Sequence, residues 1–187
     1  MGRKSLAEGQ KRPANFDEFT LDFDEAAGFY AMVGEAVRNA DVEIEVVVKP
    51  HPSSSEPANR TMLDQVGLGN CTISYDSFYD MLPTVDIVVS QFTTALSIPI
   101  AYGIPTIVLE TKLQHYVHAR WPLLGEYYLN LKYYVRPAEF SEVFTKLVHT
   151  EKDERATLAD RELLFNFYDD SALENAVSRV GLLLQDK

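Results

Sequence analysis

The chain has 187 residues, of which 46% are hydrophobic and 24% are charged. These values indicate one folded domain with a sizeable buried core rather than a disordered chain. The formal net charge of −11 excludes general binding to nucleic acid or anionic lipid, whose phosphates need Lys and Arg, but it permits a small local phosphate site.

The first 20 residues are polar and unpatterned, and they lack the apolar stretch of a secretory signal. We therefore expect a polar tail or linker over residues 1–20 and one domain over residues 21–187. Cys71 is the only cysteine, which excludes an intrachain disulfide and fits a cytoplasmic location. No apolar run reaches the roughly 18–20 residues of a membrane helix, so we expect no transmembrane segment.

Hydrophobic periodicity predicts the elements in chain order. Apolar residues recur at helical spacing over residues 24–40, and the β-branched run over residues 43–49 predicts a buried strand that ends at Pro50. A loop and a short helix over residues 61–66 follow, and Gly67 and Gly69 end that helix. The later predicted strands cover residues 71–75, 86–90, 105–110 and 133–136. The later predicted helices cover residues 76–83, 93–103, 138–149, 153–167 and 171–185.

Strands that alternate with helices imply βαβ units, whose right-handed crossovers place helices on both faces of the sheet. The predicted fold class is α/β, a Rossmann-like three-layer domain with a mostly parallel sheet. In such a sheet, ligands bind beyond the carboxyl ends of the strands. This rule selects the loops that follow Lys49, Val89 and Leu109.

The first loop begins Lys49-Pro50-His51-Pro52, which holds a histidine between two prolines just past a strand. His51 can donate a hydrogen bond to a phosphate oxygen, more strongly when its ring is protonated. The alternative interpretation is a turn that contains an incidental histidine. The residues of this loop alone do not separate the two interpretations.

The second loop runs Ser90-Gln91-Phe92-Thr93-Thr94, from the end of a strand to the start of a predicted helix. The first turn of a helix has unpaired N–H groups and a partial positive charge, and the hydroxyls of Ser90, Thr93 and Thr94 add donors for an anion. The alternative is that Thr93 only caps the helix. Capping needs one hydroxyl and the loop offers three, which favours a phosphate site.

Glu110 follows the third selected strand and can accept hydrogen bonds from ribose hydroxyls, although a solvated carboxylate is the interpretation that we favour. His115 and His118 have the spacing of a metal pair, but no further ligand stands at a suitable distance in the sequence, so we expect no metal. Tyr127 and Tyr128 are expected to pack in the core. The motifs of dinucleotide enzymes, P-loop NTPases and serine hydrolases do not occur.

The order of these motifs resembles the C-terminal, donor-binding lobe of GT-B-type glycosyltransferases. The most similar are the bacterial transferases with a Lys-Pro-His-Pro motif that build capsule, teichoic acid and sialylated surface glycans. The matching segments are residues 46–52, 85–110 and 167–180. The resemblance implies transfer from a nucleotide-sugar donor to a glycan or lipid-linked acceptor, in the cytoplasm or at the inner face of the membrane, without a further cofactor.

In that family, the histidine of the His-Pro pair and a Ser/Thr pair contact the phosphate of the donor. The resemblance assigns these roles to His51, Thr93 and Thr94, with Ser90 as a further candidate, and strand-end geometry selects the same residues. The Asp-Tyr-Ser-Ser of CDP-glycerol transferases is replaced here by Gln-Phe-Thr-Thr, and their acidic residue near Ile98 is absent. The Gly-Gly pair of the non-hydrolysing UDP-sugar epimerases is also absent.

The general base of two-lobed transferases usually comes from the N-terminal lobe, and this chain has room for one lobe only. We therefore expect a fragment or one subunit of a split enzyme, with an N-terminal lobe or a second subunit as its partner. No catalytic residue is assigned. The alternative functions are a CDP-glycerol-type polyol-phosphate transferase, a UDP-sugar 2-epimerase-like domain, and a non-catalytic interaction domain that kept the fold.

Overall fold

The computed structural model describes residues 23–51, 54–91, 93–111, 119, 122–151 and 159–163. The predicted tail, the histidines at 115 and 118, and the predicted helix over residues 171–185 lie outside these ranges. The helices are α1 (Phe23–Asn39), α2 (Glu56–Gln65), α3 (Phe78–Met81), α4 (Ser97–Ala101), α5 (Pro122–Leu129) and α6 (Phe140–Val148). The strands are β1 (Val47–Val48), β2 (Thr72–Ile73), β3 (Val88–Ser90), β4 (Thr106–Leu109) and β5 (Tyr134–Val135). Short 3₁₀ turns cover Leu82–Thr84, Thr94–Leu96 and Pro137–Glu139.

The strands form two parallel sheets. β1 pairs with β2, with Val47 opposite Thr72. β3, β4 and β5 form a three-stranded sheet with β4 in the centre, and Ser90 lies opposite Val108. The prediction of parallel pairing is confirmed, but the strands are shorter than predicted and divide between two small sheets.

Helices cover both faces of the three-stranded sheet because successive side chains of β4 point in opposite directions. Ile107 and Leu109 belong to a core cluster with α1 and α6, which contribute mainly Ala36, Phe140, Phe144 and Leu147. Val108 points the other way and packs with residues of α4 and α5 and the segments beside them, namely Leu96, Ile100, Tyr127, Tyr128 and Leu131. The domain is thus α/β and Rossmann-like, as predicted.

A third cluster lies between the two-stranded sheet and α2, where Val48, Leu63, Leu68 and Cys71 are buried. Tyr30 of α1 packs against this cluster, while its neighbour Phe29 packs against the cluster that contains β4. Helix α1 therefore contacts both cores, and its apolar residues connect the two sheets through a shared packing partner.

Two helices end at the glycines that the sequence predicts. Gly67 and Gly103 have positive φ angles of 78° and 75°, which a residue without Cβ adopts at little cost. After α4, the N–H of Ile104 donates to the carbonyl of Pro99 at 2.9 Å and the N–H of Gly103 donates to Ile100 at 3.0 Å. This Schellman arrangement satisfies the last carbonyls of the helix and turns the chain into β4.

The predicted helix over residues 93–103 is wrong as one continuous α-helix. A 3₁₀ turn over Thr94–Leu96 precedes the five-residue helix α4. Pro99 lacks the N–H that would donate to the carbonyl of residue 95, so a regular ladder of i to i−4 bonds cannot run through this segment. The helix dipole at Thr93 is correspondingly that of a short helix, and side-chain donors matter more there than the helix terminus.

Helix α5 was not predicted. Its sequence is PLLGEYYL, in which Glu126 is the one charged residue and which lacks a clear helical period. Pro122 at the first helical position is the signal that could have identified it. The expectation for its aromatic residues is confirmed, since Tyr127 and Tyr128 are buried and their rings meet edge to face with centroids 5.0 Å apart.

Among the described helices, none has both the length and the apolar character that crossing a membrane requires. Those helices are all short except α1, which has 17 residues and carries charged residues along its length.

Asp160 gives the fold a pH-dependent contact. It is 6% exposed and accepts a hydrogen bond from the backbone N–H of Lys132 at 2.9 Å. Burial raises the pKa of its carboxyl above the ordinary 3.8, although the bond from Lys132 opposes the shift. The folded state then binds a proton more readily than the unfolded state. Protonation of Asp160 therefore raises the free energy of unfolding. This contribution is complete below pH 3.8 and is lost as the pH rises through the folded pKa.

We expect Asp160→Asn to keep the acceptor oxygen and to remove this titration. Urea unfolding of both proteins at a series of pH values measures the difference in their free energies of unfolding. That difference should move in favour of the variant as the pH rises from 3.8 through the folded pKa, and then level off. A difference that is constant with pH, or that moves in favour of the wild type, contradicts the assignment.

Candidate functional site

The turn that begins at His51, here called the His51 turn, lies three residues past the end of β1. The carbonyl of His51 accepts two hydrogen bonds, from the backbone N–H of Ser54 at 2.8 Å and from Ser54 Oγ at 2.6 Å. The side chain of His51 is exposed, whereas Pro50 before it is buried. The structure thus has a closed turn that presents an imidazole at the surface, just beyond the carboxyl end of a strand.

Buried Asn59 connects this turn to the segment after β2. Its Nδ2 donates to Ser54 Oγ at 2.9 Å and to the hydroxyl of Tyr75 at 3.2 Å. Lys49 also reaches across, because its Nζ donates to the carbonyl of Asp76. These contacts hold together the carboxyl ends of β1 and β2. Sequence reasoning missed Asn59, Tyr75 and the role of Lys49, and only Lys49, at a strand end, carried a usable signal.

The Ser90 loop begins at the carboxyl end of β3. Ser90 Oγ donates to the carbonyl of Gln91 at 2.9 Å. Thr93 Oγ1 accepts a hydrogen bond from the N–H of Ala95 at 3.4 Å, so the capping interpretation applies to Thr93. That bond is long and uses Thr93 as an acceptor, which leaves its O–H proton to donate to another group. The side chain of Thr94 lies outside the described atoms.

Tyr128 fixes the backbone of the same loop from α5. Its hydroxyl donates to the carbonyl of Thr93 at 3.2 Å, and its ring is buried beside Leu96 and Val108. A buried aromatic that hydrogen-bonds a loop carbonyl restricts where that loop lies. Helix α5, which the sequence does not predict, is therefore one of the elements that position the Ser90 loop.

Glu110 follows the central strand and is hydrogen-bonded rather than only solvated. Its carboxylate bonds the hydroxyl of Tyr134 on β5. Burial, and then the charge and hydrogen bond of Glu110, raise the pKa of Tyr134 to about 12, so this hydroxyl keeps its proton at neutral pH. The carboxylate of Glu139, which binds Arg136, is the main cause that raises the pKa of Arg136. The charge of Glu110 raises it slightly further.

Thr111 comes next in the chain and is 8% exposed. Its Oγ1 is buried, and no hydrogen-bond partner for it occurs among the described residues. A buried hydroxyl without a partner is costly, because it has lost its bonds to water. Thr111 places this buried hydroxyl at the carboxyl edge of β4.

The parallel register determines which of these residues share an edge. Ser90 at the end of β3 lies opposite Val108, two positions before Glu110 on the neighbouring strand. Ser90, Glu110 and Thr111 thus belong to the carboxyl edge of the three-stranded sheet, and His51 belongs to that of the two-stranded sheet. The convergence of His51 with Thr93 and Thr94 on one phosphate stays a prediction.

The described side chains at this edge are hydrogen-bonding groups. In the described ranges, no three His, Cys, Asp or Glu side chains come close enough to hold a metal ion. The hydroxyl of Thr93 can donate to an anionic oxygen, that of Ser90 can do so if it leaves the carbonyl of Gln91, and Glu110 can accept from the hydroxyls of a ligand. No family model, curated protein or solved structure matches the chain.

Proposed function

We propose that this chain is the donor-binding lobe of a glycosyltransferase for surface or capsular polysaccharide, and that it binds a nucleotide-activated sugar at the carboxyl edges of its sheets. The observation that carries the proposal is the parallel register of β3 with β4. It supports a common site for Ser90 and Glu110, which lie 20 positions apart in the chain. Ligands of open α/β sheets bind at this edge.

The donor phosphates are held in this proposal by His51, Ser90, Thr93 and Thr94. Neutral hydroxyl donors and one imidazole suit an acidic protein, because they bind a local anion without a large basic patch. The same donors act on the reaction as well. A departing nucleotide gains negative charge on its phosphate in the transition state, and donors aimed at those oxygens lower the barrier.

Glu110 is assigned to the ribose of the donor. Its carboxylate accepts from hydroxyl groups, and the hydroxyl of Tyr134 holds one side of it in place. Since the pKa of Tyr134 is raised to about 12, its hydroxyl keeps the proton that it shares with Glu110 at neutral pH. A carboxylate oriented in advance loses less freedom when it binds a ribose.

The acceptor, a glycan or a lipid-linked glycan, and the general base are assigned to an N-terminal lobe or a partner subunit. A base must come within hydrogen-bond reach of the acceptor hydroxyl. The residues at the carboxyl edges described above are taken up by donor contacts or by contacts that hold loops. The lobe alone is therefore expected to bind the donor and to transfer nothing.

A thermal-shift screen tests the proposal with UDP, CDP, CMP and GDP, each compared with its nucleoside. A ligand at 100 times its Kd stabilises the folded state by about 2.7 kcal/mol, so at least one nucleotide should raise the melting temperature by several degrees, and its nucleoside should do so less. The nucleosides are the matched controls for the phosphate. If no nucleotide changes the melting temperature at millimolar concentration, the proposed function is wrong.

A further inference from the structure

We infer that Asn59 is a positioning residue for the His51 turn and that it acts through Ser54. The side chain of Asn59 bonds to Ser54 and Tyr75, and its effect on His51 passes through Ser54. It sets the backbone from which the imidazole projects. The consequence for ligand binding rests on the proposed function, whereas the consequence for the geometry of His51 does not.

The path consists of two hydrogen bonds in series. Asn59 Nδ2 donates to Ser54 Oγ at 2.9 Å, and Ser54 Oγ donates its own proton to the carbonyl of His51 at 2.6 Å. The direction of each donor is fixed, because an amide N–H only donates and the carbonyl only accepts. Ser54 Oγ thus accepts from one partner and donates to the other, and bonds in such a chain strengthen each other.

The start of the path is rigid. Asn59 is 6% exposed and lies on α2, four residues before Leu63, which is fully buried in the core of the two-stranded sheet. The end of the path is exposed to solvent at His51. The two hydrogen bonds in series therefore tie the surface turn to a buried amide, which restrains its position.

The second donor bond of Asn59 supplies a matched control. Nδ2 also donates to the hydroxyl of Tyr75 at 3.2 Å, and Tyr75 is 45% exposed. Tyr75→Phe removes that bond and leaves the bonds of Ser54 intact. Ser54→Ala removes the link to His51 and leaves the bond to Tyr75.

The first measurement is made without ligand. The chain has 4 histidines, so the ring signals in a proton–carbon NMR spectrum are few, and His51→Ala identifies that of His51. We expect Ser54→Ala and Asn59→Ala to shift the His51 signal, Tyr75→Phe to leave it nearly unchanged, and Ser54→Thr to restore it. An unshifted His51 signal in Ser54→Ala overturns the inference, even if Asn59→Ala fails to fold.

The second measurement is the calorimetric affinity for whichever of UDP, CDP, CMP and GDP binds the wild type best. Ser54→Ala should weaken it about tenfold, the amount that corresponds to one net hydrogen bond, and Ser54→Thr should recover it. Shifted His51 signals with unchanged affinity overturn the functional half of the inference. If the His51 signal shifts in the variants but the wild-type chain binds none of these nucleotides, the proposed function is wrong and the positioning role of Asn59 stands.

Discussion

Replacing Phe140 with alanine is expected to lower the free energy of unfolding by about 3–5 kcal/mol, the range for deleting a buried aromatic side chain. Phe140 is 0% exposed. It begins α6 and packs in the cluster that contains Ile107 and Leu109 of the central strand. Phe144, one turn later, lies beside it with ring centroids 5.6 Å apart.

The loss has two parts. The ring no longer leaves water on folding, and the neighbours of Phe140 relax only partly into the space that remains. Those neighbours belong to α1, β4, β5 and α6, so collapse into the cavity would require several elements to move at once. We therefore expect the upper part of the range rather than the lower.

Urea unfolding followed by circular dichroism measures this change. Tyr79→Ala is the matched control, since Tyr79 is an aromatic helix residue that is 56% exposed. Surface substitutions of this kind usually change stability by about 0.5 kcal/mol or less. If the two variants lose similar amounts of stability, Phe140 does not hold α6 against the sheet and the described core is wrong.

The fold was predictable where local sequence and tertiary packing agree. The β-branched runs that contain Val88 and Ile107 are strands, and the helical spacing over residues 24–40 is α1. Gly67 and Gly103 end helices because the φ angles at these positions suit glycine. In each case the residues that determine the element lie within one short segment, and the tertiary packing is compatible with that element.

The errors lie where tertiary structure decides. Helix α5 is mostly apolar, with Glu126 as its one charged residue, so its sequence has no clear period from which a helix can be inferred. The bounds of α2 were misjudged for a different reason. The helix begins at Glu56, whereas the sequence predicts a start at residue 61. Pro57 is typical of a loop, but proline is also favoured in the first turn of a helix, where it lies here. The division into two sheets depends on pairing between distant segments, which no local pattern encodes.

The candidate site divides in the same way. Strand ends are predictable, so the places of Ser90, Glu110 and His51 at or near the ends of strands follow from the sequence, and the rule that ligands bind at carboxyl edges makes them candidates. The groups that hold them were not found. Asn59 and Tyr128 look like ordinary helix residues in the sequence, and only the folded chain brings Asn59 to Ser54 and Tyr128 to the carbonyl of Thr93.

His51→Ala is expected to weaken binding of the best nucleotide about tenfold to a hundredfold. A hydrogen bond to a charged group contributes about 1.5–3 kcal/mol, and a phosphate oxygen that loses its imidazole donor regains only part of that from water. The fold should be unaffected, because His51 is exposed and its bonds to Ser54 come from the backbone carbonyl. Isothermal calorimetry measures the affinity, and thermal unfolding without ligand checks the fold.

His149→Ala is the control that separates a specific contact of His51 from a general effect of removing an exposed histidine. His149 is also exposed, lies just past α6, and its Nε2 is 2.8 Å from a carboxylate oxygen of Asp41, in a part of the fold with no assigned ligand contact. Its removal should leave affinity unchanged. Ser90→Ala completes the comparison, since it removes a hydroxyl at the edge of the other sheet. If Ser90→Ala weakens binding and His51→Ala does not, the phosphate is bound by the three-stranded sheet alone, and the two loops do not share an anion.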